Sequence, residues 1–189
     1  QKIADKAIAA GLTPQQFVDQ YAKKFLDLWK DLNIECTNFI RTTNQDHCES
    51  VQKVFEHLMK NGDVYLGEWK GLYCVQCEEN YSESDVVIKD GKKYCKVGHP
   101  IVEKSEESYF LKLSKYQKWI EEFFKKNPNF IFPTERLKEI NNNFVKPGIE
   151  DLSISRTTFD WGVPILSNKK HVMYVWIDAL MSYLSALGY

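Results

Sequence analysis

Four residues near the middle of the chain have the types and spacing of a metal site. Cys74-Val-Gln-Cys77 is followed, after seventeen residues, by Cys95-Lys-Val-Gly-His99. A Cys-x-x-Cys arm places two sulfurs on one edge of a tetrahedron, and a loop that turns back lets a second arm close it. Zinc takes thiolates and a neutral imidazole, so Cys74, Cys77, Cys95 and His99 form a suitable donor set for a structural ion. Binding would stabilise a stretch too short for its own core, on the order of 10–16 kcal/mol in zinc-finger peptides at neutral pH. The second arm has three residues between its ligands rather than two, which leaves His99 one position from the usual spacing. Two other readings stay open: ordinary cysteines in hairpins, and a redox Cys-x-x-Cys. The redox motif usually opens a helix, whereas the residues around Cys74 read as strand. Cys36 and Cys48 have no partner at ligand spacing and are expected as buried thiols.

These four residues lie in a stretch, 64–111, of short β-branched and aromatic runs (VYLGEW, LYCV, DVVI, YCKV, PIVE), which predicts small hairpins. The flanks read differently. Residues 3–10 form a helical pattern ended by Gly11, and Thr13-Pro14 starts a second helix with a capping hydroxyl and a ring preset for the first turn. Phe17, Tyr21, Phe25, Leu28 and Leu32 then recur at helical spacing. A strand is expected over 34–40. It is followed by a helix from near Thr43 that carries Val51, Val54, Phe55, Leu58 and Met59 on one face and is closed by Gly62. Helical pattern returns at Tyr116–Phe124, stops before Pro128 and restarts after Pro133. DLSISR, FDWGVPI and HVMYVWI (151–156, 159–165 and 171–177) read as strands. A last helix is expected from Asp178, a candidate cap, to Leu187. The parse is an α/β domain over 1–63, a β-rich insertion over 64–150, and the first domain resumed over 151–189.

Composition narrows the classes. Of 189 residues 43% are hydrophobic, and 25 Lys+Arg balance 26 Asp+Glu, which excludes a globally basic nucleic-acid coat but not a local basic patch. No run approaches the ~18 apolar residues of a membrane span. Five cysteines are too few for a stapled secreted scaffold, and an odd count fits a reduced, cytoplasmic compartment. Starting at Gln1 and stopping after an apolar run, the chain reads as an excerpt of something longer.

The run Tyr174-Val175-Trp176-Ile177-Asp178-Ala179-Leu180, with Tyr183 following, closely resembles the methionyl-tRNA synthetases, a class I aminoacyl-tRNA synthetase family. So does DLSISRTTFDWGVP ahead of it. GEWKGLYCVQCEENYSES, EESYFLKLSKY and NNFVKPG are similar to that family's connective peptide, and QKIADKA, GLTPQQFVD and FIRTTNQDH to the part before it. The resemblance implies a Rossmann-like catalytic domain carrying an inserted, zinc-knuckle-like connective peptide. It implies methionine, ATP with Mg2+, and tRNA(Met) as substrates, and Trp176, Ala179, Leu180 and Tyr183 lining the methionine site. It also implies that Arg156 supports the acidic residue that holds the substrate's amino group. The HIGH-type and KMSKS-type phosphate motifs of the family are absent from this sequence, so no catalytic residue is assigned and the chain alone is expected to be inactive.

Physical chemistry is compatible with that site, since sulfur–aromatic contacts stabilise by ~0.3–1.5 kcal/mol each. Without the resemblance, an aromatic stripe at i, i+3 and i+7 reads more readily as core. Arg156 by itself reads as a partner for a buried carboxylate or substrate, or as a solvent-facing charge, and His171 as structural. Two rival functions remain: a zinc-knuckle module for RNA or protein, which leaves the helical remainder unexplained, and a non-catalytic relative of the synthetases.

Overall fold

The computed structural model describes residues 2–189 apart from 78, 82 and 84. Gln1 of QKIADKA and those three positions of GEWKGLYCVQCEENYSES lie outside the described residues. The chain divides into two compact units: residues up to Asn61 with Ile154–Tyr189, and Gly62–Ser153.

The first unit opens with α1 (Lys2–Ala9) and α2 (Pro14–Asp31). At the start of α2, Gln16 N–H donates to Thr13 Oγ1 at 3.2 Å while Thr13 N–H donates to Gln16 Oε1 at 3.0 Å, a reciprocal cap with Pro14 in the first turn. The strand expected over 34–40 does not form. The chain turns at Asn33 (φ 53°), Ile34 N–H returns to Trp29 O, and Phe39 packs edge-on against Trp29 with centroids 5.4 Å apart. An extended run becomes a strand only beside a neighbour that can share a hydrogen-bond ladder; here its aromatic side chain finds α2 instead. Next, α3 (Gln45–Lys60) buries His47, Ser50, Val51 and Phe55. It ends where Gly62, at φ +71°, takes the left-handed conformation that costs other residues most.

The second unit holds β1 (Val64–Cys74), β2 (Glu79–Tyr81), β3 (Val87–Lys89), β4 (Lys92–Tyr94), β5 (Val102–Leu111), α4 (Gln117–Lys126), α5 (Thr134–Ile140) and β6 (Leu152–Ser153). Its antiparallel sheet runs β2-β1-β5-β6, and β1 pairs with β5 from Val64↔Leu111 to Tyr73↔Val102. That long two-stranded arm is more continuous than the small hairpins expected from sequence. The separate β3–β4 hairpin sits between its limbs in the chain. Val64, Leu72, Tyr109 and Val145 are buried here, with Cys74 and Cys95.

Back in the first unit, β7 (Ser155–Arg156) pairs with β8 (Val172–Met173), and α6 (Val175–Ser185) follows. FDWGVPI contributes only a bridge, Pro164 to Val172. HVMYVWI stops being strand at Met173. Tyr174 is the N-cap, extended at ψ 143°, and its N–H is spent on Ile154 O. Helix begins at Val175, taking two β-branched residues into its first turn, because propensity is a weak preference beside tertiary packing. Asp178 accordingly lies inside the helix and does not cap it. Val51, Phe55, Ile154, Val163, Ile165, Val172, Met173 and Met181 form the unit's apolar core with Ala7.

Candidate metal centre and the exposed face of the last helix

Cys74 ends β1, Cys77 lies in the turn beyond it, Cys95 follows β4, and His99 closes the next turn. That turn is built by Cys95 N–H donating to His99 O at 2.9 Å and Gly98 N–H to Cys95 O at 2.8 Å, with Gly98 at φ +94°. The extra residue of the second arm is absorbed there. All four donor atoms lie within 4.8 Å of one another, with Cys77 Sγ 3.8 Å from Cys95 Sγ and 3.3 Å from His99 Nδ1. A tetrahedron with bonds of about 2.3 Å to sulfur and about 2.0–2.1 Å to nitrogen has edges of about 3.5–3.8 Å, so the donors are near coordinating distance. Cys74 and Cys95 are buried, while Cys77 and His99 are half-buried. The residues fit a metal ion.

The thiols are not equivalent. Burial opposes ionisation of Cys95, but the backbone N–H groups of His99 and Val97 and the thiols of Cys77 and Cys74 outweigh it, lowering its pKa to about 6. Neighbouring Cys74 and burial raise Cys77 to about 11, with Cys95 adding to the effect. One negative charge is thus readily held among three sulfurs; a cation would let the others ionise as well. Cys36 and Cys48 correct the expectation of buried thiols. Cys36 is exposed because 34–40 joins no sheet, and half-buried Cys48 donates to Thr42 O at 3.5 Å.

On α6, Trp176, Ala179, Leu180 and Tyr183 fall within an arc of about 100° at 3.6 residues per turn. Trp176, Leu180 and Tyr183 are 63%, 61% and 74% exposed, and Ala179 is half-buried. In this unit the stripe faces outward, and Met181 is the residue of α6 that enters the core. Arg156 is 5% exposed, which removes the solvent-facing reading. Its Nη1 donates to Ser155 O at 2.7 Å and its guanidinium lies 3.9 Å from the ring centroid of Tyr174, the N-cap of α6. His171 is buried with Nδ1 3.0 Å from Ser155 Oγ.

Sequence reasoning missed one cluster. His47, 1% exposed, lies with Nε2 2.8 Å from Asp178 Oδ1 and Nδ1 2.9 Å from Ser185 Oγ. Burial raises the Asp178 pKa, against the pull of His47. The partners are more than 130 residues apart in sequence, and the one available signal was three polar residues, Asp178, Ser182 and Ser185, on one face of an otherwise apolar helix.

The sequence matches the family described as tRNA synthetases class I (M) over residues 1–97 and 87–189. The chain belongs to that family. Among class I (M) synthetases it is 53% identical over 190 residues to the methionine–tRNA ligase of Ureaplasma parvum, covering all of this chain and 36% of that protein. It is 51% identical over 196 residues to the Streptococcus pneumoniae serotype 4 methionine–tRNA ligase, covering 30% of it. Its fold matches Mycobacterium tuberculosis methionyl-tRNA synthetase in complex with methionyl-adenylate at a TM-score of 0.90, with 38% identity and coverage of 100% of this chain and 37% of that one. The class I synthetase α/β fold with small sheets is therefore the fold of this chain, which spans 30–36% of the length of those two relatives. No helix among the described residues is long and apolar enough to cross a membrane.

Proposed function

We propose that the chain is the central part of a cytoplasmic methionine–tRNA ligase and that the outward face of α6 is one wall of its methionine site. The observation that carries this reading is the exposed Trp176, Leu180 and Tyr183 on a fold that superposes closely on a synthetase holding methionyl-adenylate. In the reaction the methionine carboxylate attacks the α-phosphorus of ATP, with Mg2+, and pyrophosphate leaves. A ribose hydroxyl at the end of tRNA(Met) then attacks the acyl carbon, and AMP leaves. Such steps depend on orientation and charge stabilisation. The phosphate-handling motifs that supply them are absent from this sequence, so we assign this chain the reading of methionine.

Each wall residue has a physical task. Trp176 offers a broad face to a polarizable thioether, Tyr183 an aromatic ring with a hydroxyl, Leu180 apolar cover, and Ala179 room for close approach. Arg156 holds the start of α6 through Tyr174 and supports the amino-group side of the site. Residues 1–63 and 151–189 then belong to the Rossmann-like catalytic domain and 64–150 to the connective peptide. In that insertion Cys74, Cys77, Cys95 and His99 hold a structural zinc ion, which when bound ties the end of β1 to the turn after β4.

The division of labour is testable. The 189 residues alone are expected to show no methionine-dependent ATP–pyrophosphate exchange, whereas the protein joining them to the flanking synthetase segments exchanges and charges tRNA(Met). Exchange by the isolated chain would contradict the reading.

A further inference from the structure

We propose that His47 is a positioning residue for the methionine wall: its buried ring, held between Asp178 and Ser185, sets which face of α6 turns outward. The inference rests on the reading of α6 given above.

The sequence of α6, VWIDALMSYLS, is apolar nearly all round. Hydrophobicity therefore does not decide which side of the helix enters the core. Asp178, Ser182 and Ser185 are the exceptions, and Ser182 spends its hydroxyl on Ala179 O, which leaves Asp178 and Ser185. Seven residues apart, they lie on one face about 10 Å from each other along the axis, and Trp176, Leu180 and Tyr183 centre roughly 170° away. Imidazole carries its two polar atoms on different sides of one rigid ring, which suits a bridge of that span. Both are used: Nε2 to Asp178 Oδ1 at 2.8 Å and Nδ1 to Ser185 Oγ at 2.9 Å.

The ring is 1% exposed, so a rotation of α6 by one residue would break both bonds and strand a buried imidazole and a largely buried carboxylate without partners. Apolar packing tolerates such a rotation far better. The histidine comes from the first turn of α3, and both of its hydrogen-bond partners lie on the face of α6 opposite the wall.

The test uses the full synthetase carrying His47→Ala, His47→Gln or Ser185→Ala, beside Trp176→Ala and the surface control Lys125→Ala. His47→Ala should raise the methionine KM about tenfold while the ATP KM stays within about twofold. His47→Gln, whose amide nitrogen can replace Nε2 toward Asp178, should recover most of that loss, and Ser185→Ala should fall between. Should His47→Ala fail to fold, His47→Gln and Ser185→Ala still decide: a methionine KM equal to the control in both overturns the proposal. Melting temperatures that fall in every variant with no change in methionine KM overturn it too, because they describe a purely structural contact. If Trp176→Ala moves the methionine KM and the His47 and Ser185 variants do not, the positioning role fails alone. If Trp176→Ala is also silent, the reading of α6 fails and this inference with it.

Discussion

Protein stripped of metal is expected to lose the ordered structure of Gly62–Ser153 around the four donors. Elemental analysis of chelator-free preparations should find about one zinc per chain, as a single tetrahedral site requires. The effect should be large, because donor atoms held within 4.8 Å of one another have to be assembled from the end of β1 and the turn after β4. For comparison, structural zinc contributes about 10–16 kcal/mol in finger peptides, and Val75, Val87, Ile88 and Val97 around the cluster stay exposed rather than forming a core. Hydrogen exchange should show protection falling across β1, β5 and the β3–β4 hairpin, while α3 and α6 keep theirs. Cys74→Ser should reproduce the pattern without a chelator. Metal-free protein with unchanged protection and melting behaviour would reduce the cluster to ordinary thiols in hairpins.

Ala179→Leu, in the full synthetase, is expected to raise the methionine KM about ten- to a hundredfold with little change in the ATP KM, since added bulk in a packed site typically costs ~1–3 kcal/mol. Ala179 is half-buried at the edge of the exposed stripe, so the added atoms project toward the wall. The split between the two KM values is the informative part. A general loss of stability would depress activity without separating the substrates. Equal shifts in both would place Ala179 in the helix packing rather than in the site.

Much of this was legible beforehand where a local rule sufficed. Thr13-Pro14 marks a helix start because capping and first-turn geometry involve only neighbouring residues. The Cys74–His99 cluster could be read from spacing because zinc demands a small set of donors at short range. Where the outcome depended on distant partners, local rules failed. Residues 34–40 read as a short strand-like stretch but have no ladder to join. The run at 171–177 makes its last pairing bond from Tyr174 N–H to Ile154, twenty residues earlier, and turns helical at Val175, where the helix carries Met181 into the core. Cys36 is apolar enough for a core that does not reach it. His47 was hidden for the same reason, as nothing near it in sequence announces Asp178 or Ser185. The proposed site on α6 comes from the family resemblance and not from spacing, since the stripe is as good a core pattern as a site; its outward direction is the feature that the proposal uses.

The most direct test of the α6 face is side-chain selectivity measured on Trp176→Ala, in the full synthetase, by methionine-dependent ATP–pyrophosphate exchange against norleucine, which replaces sulfur by a methylene. A differential of one group is worth only ~1–3 kcal/mol in an apolar pocket, so an aromatic face that favours sulfur should account for a visible share of it. Trp176→Ala is expected to weaken methionine use and to narrow the preference for methionine over norleucine, while Lys125→Ala leaves both as they were. Unchanged methionine KM and unchanged selectivity in Trp176→Ala would contradict this and place the methionine site away from α6.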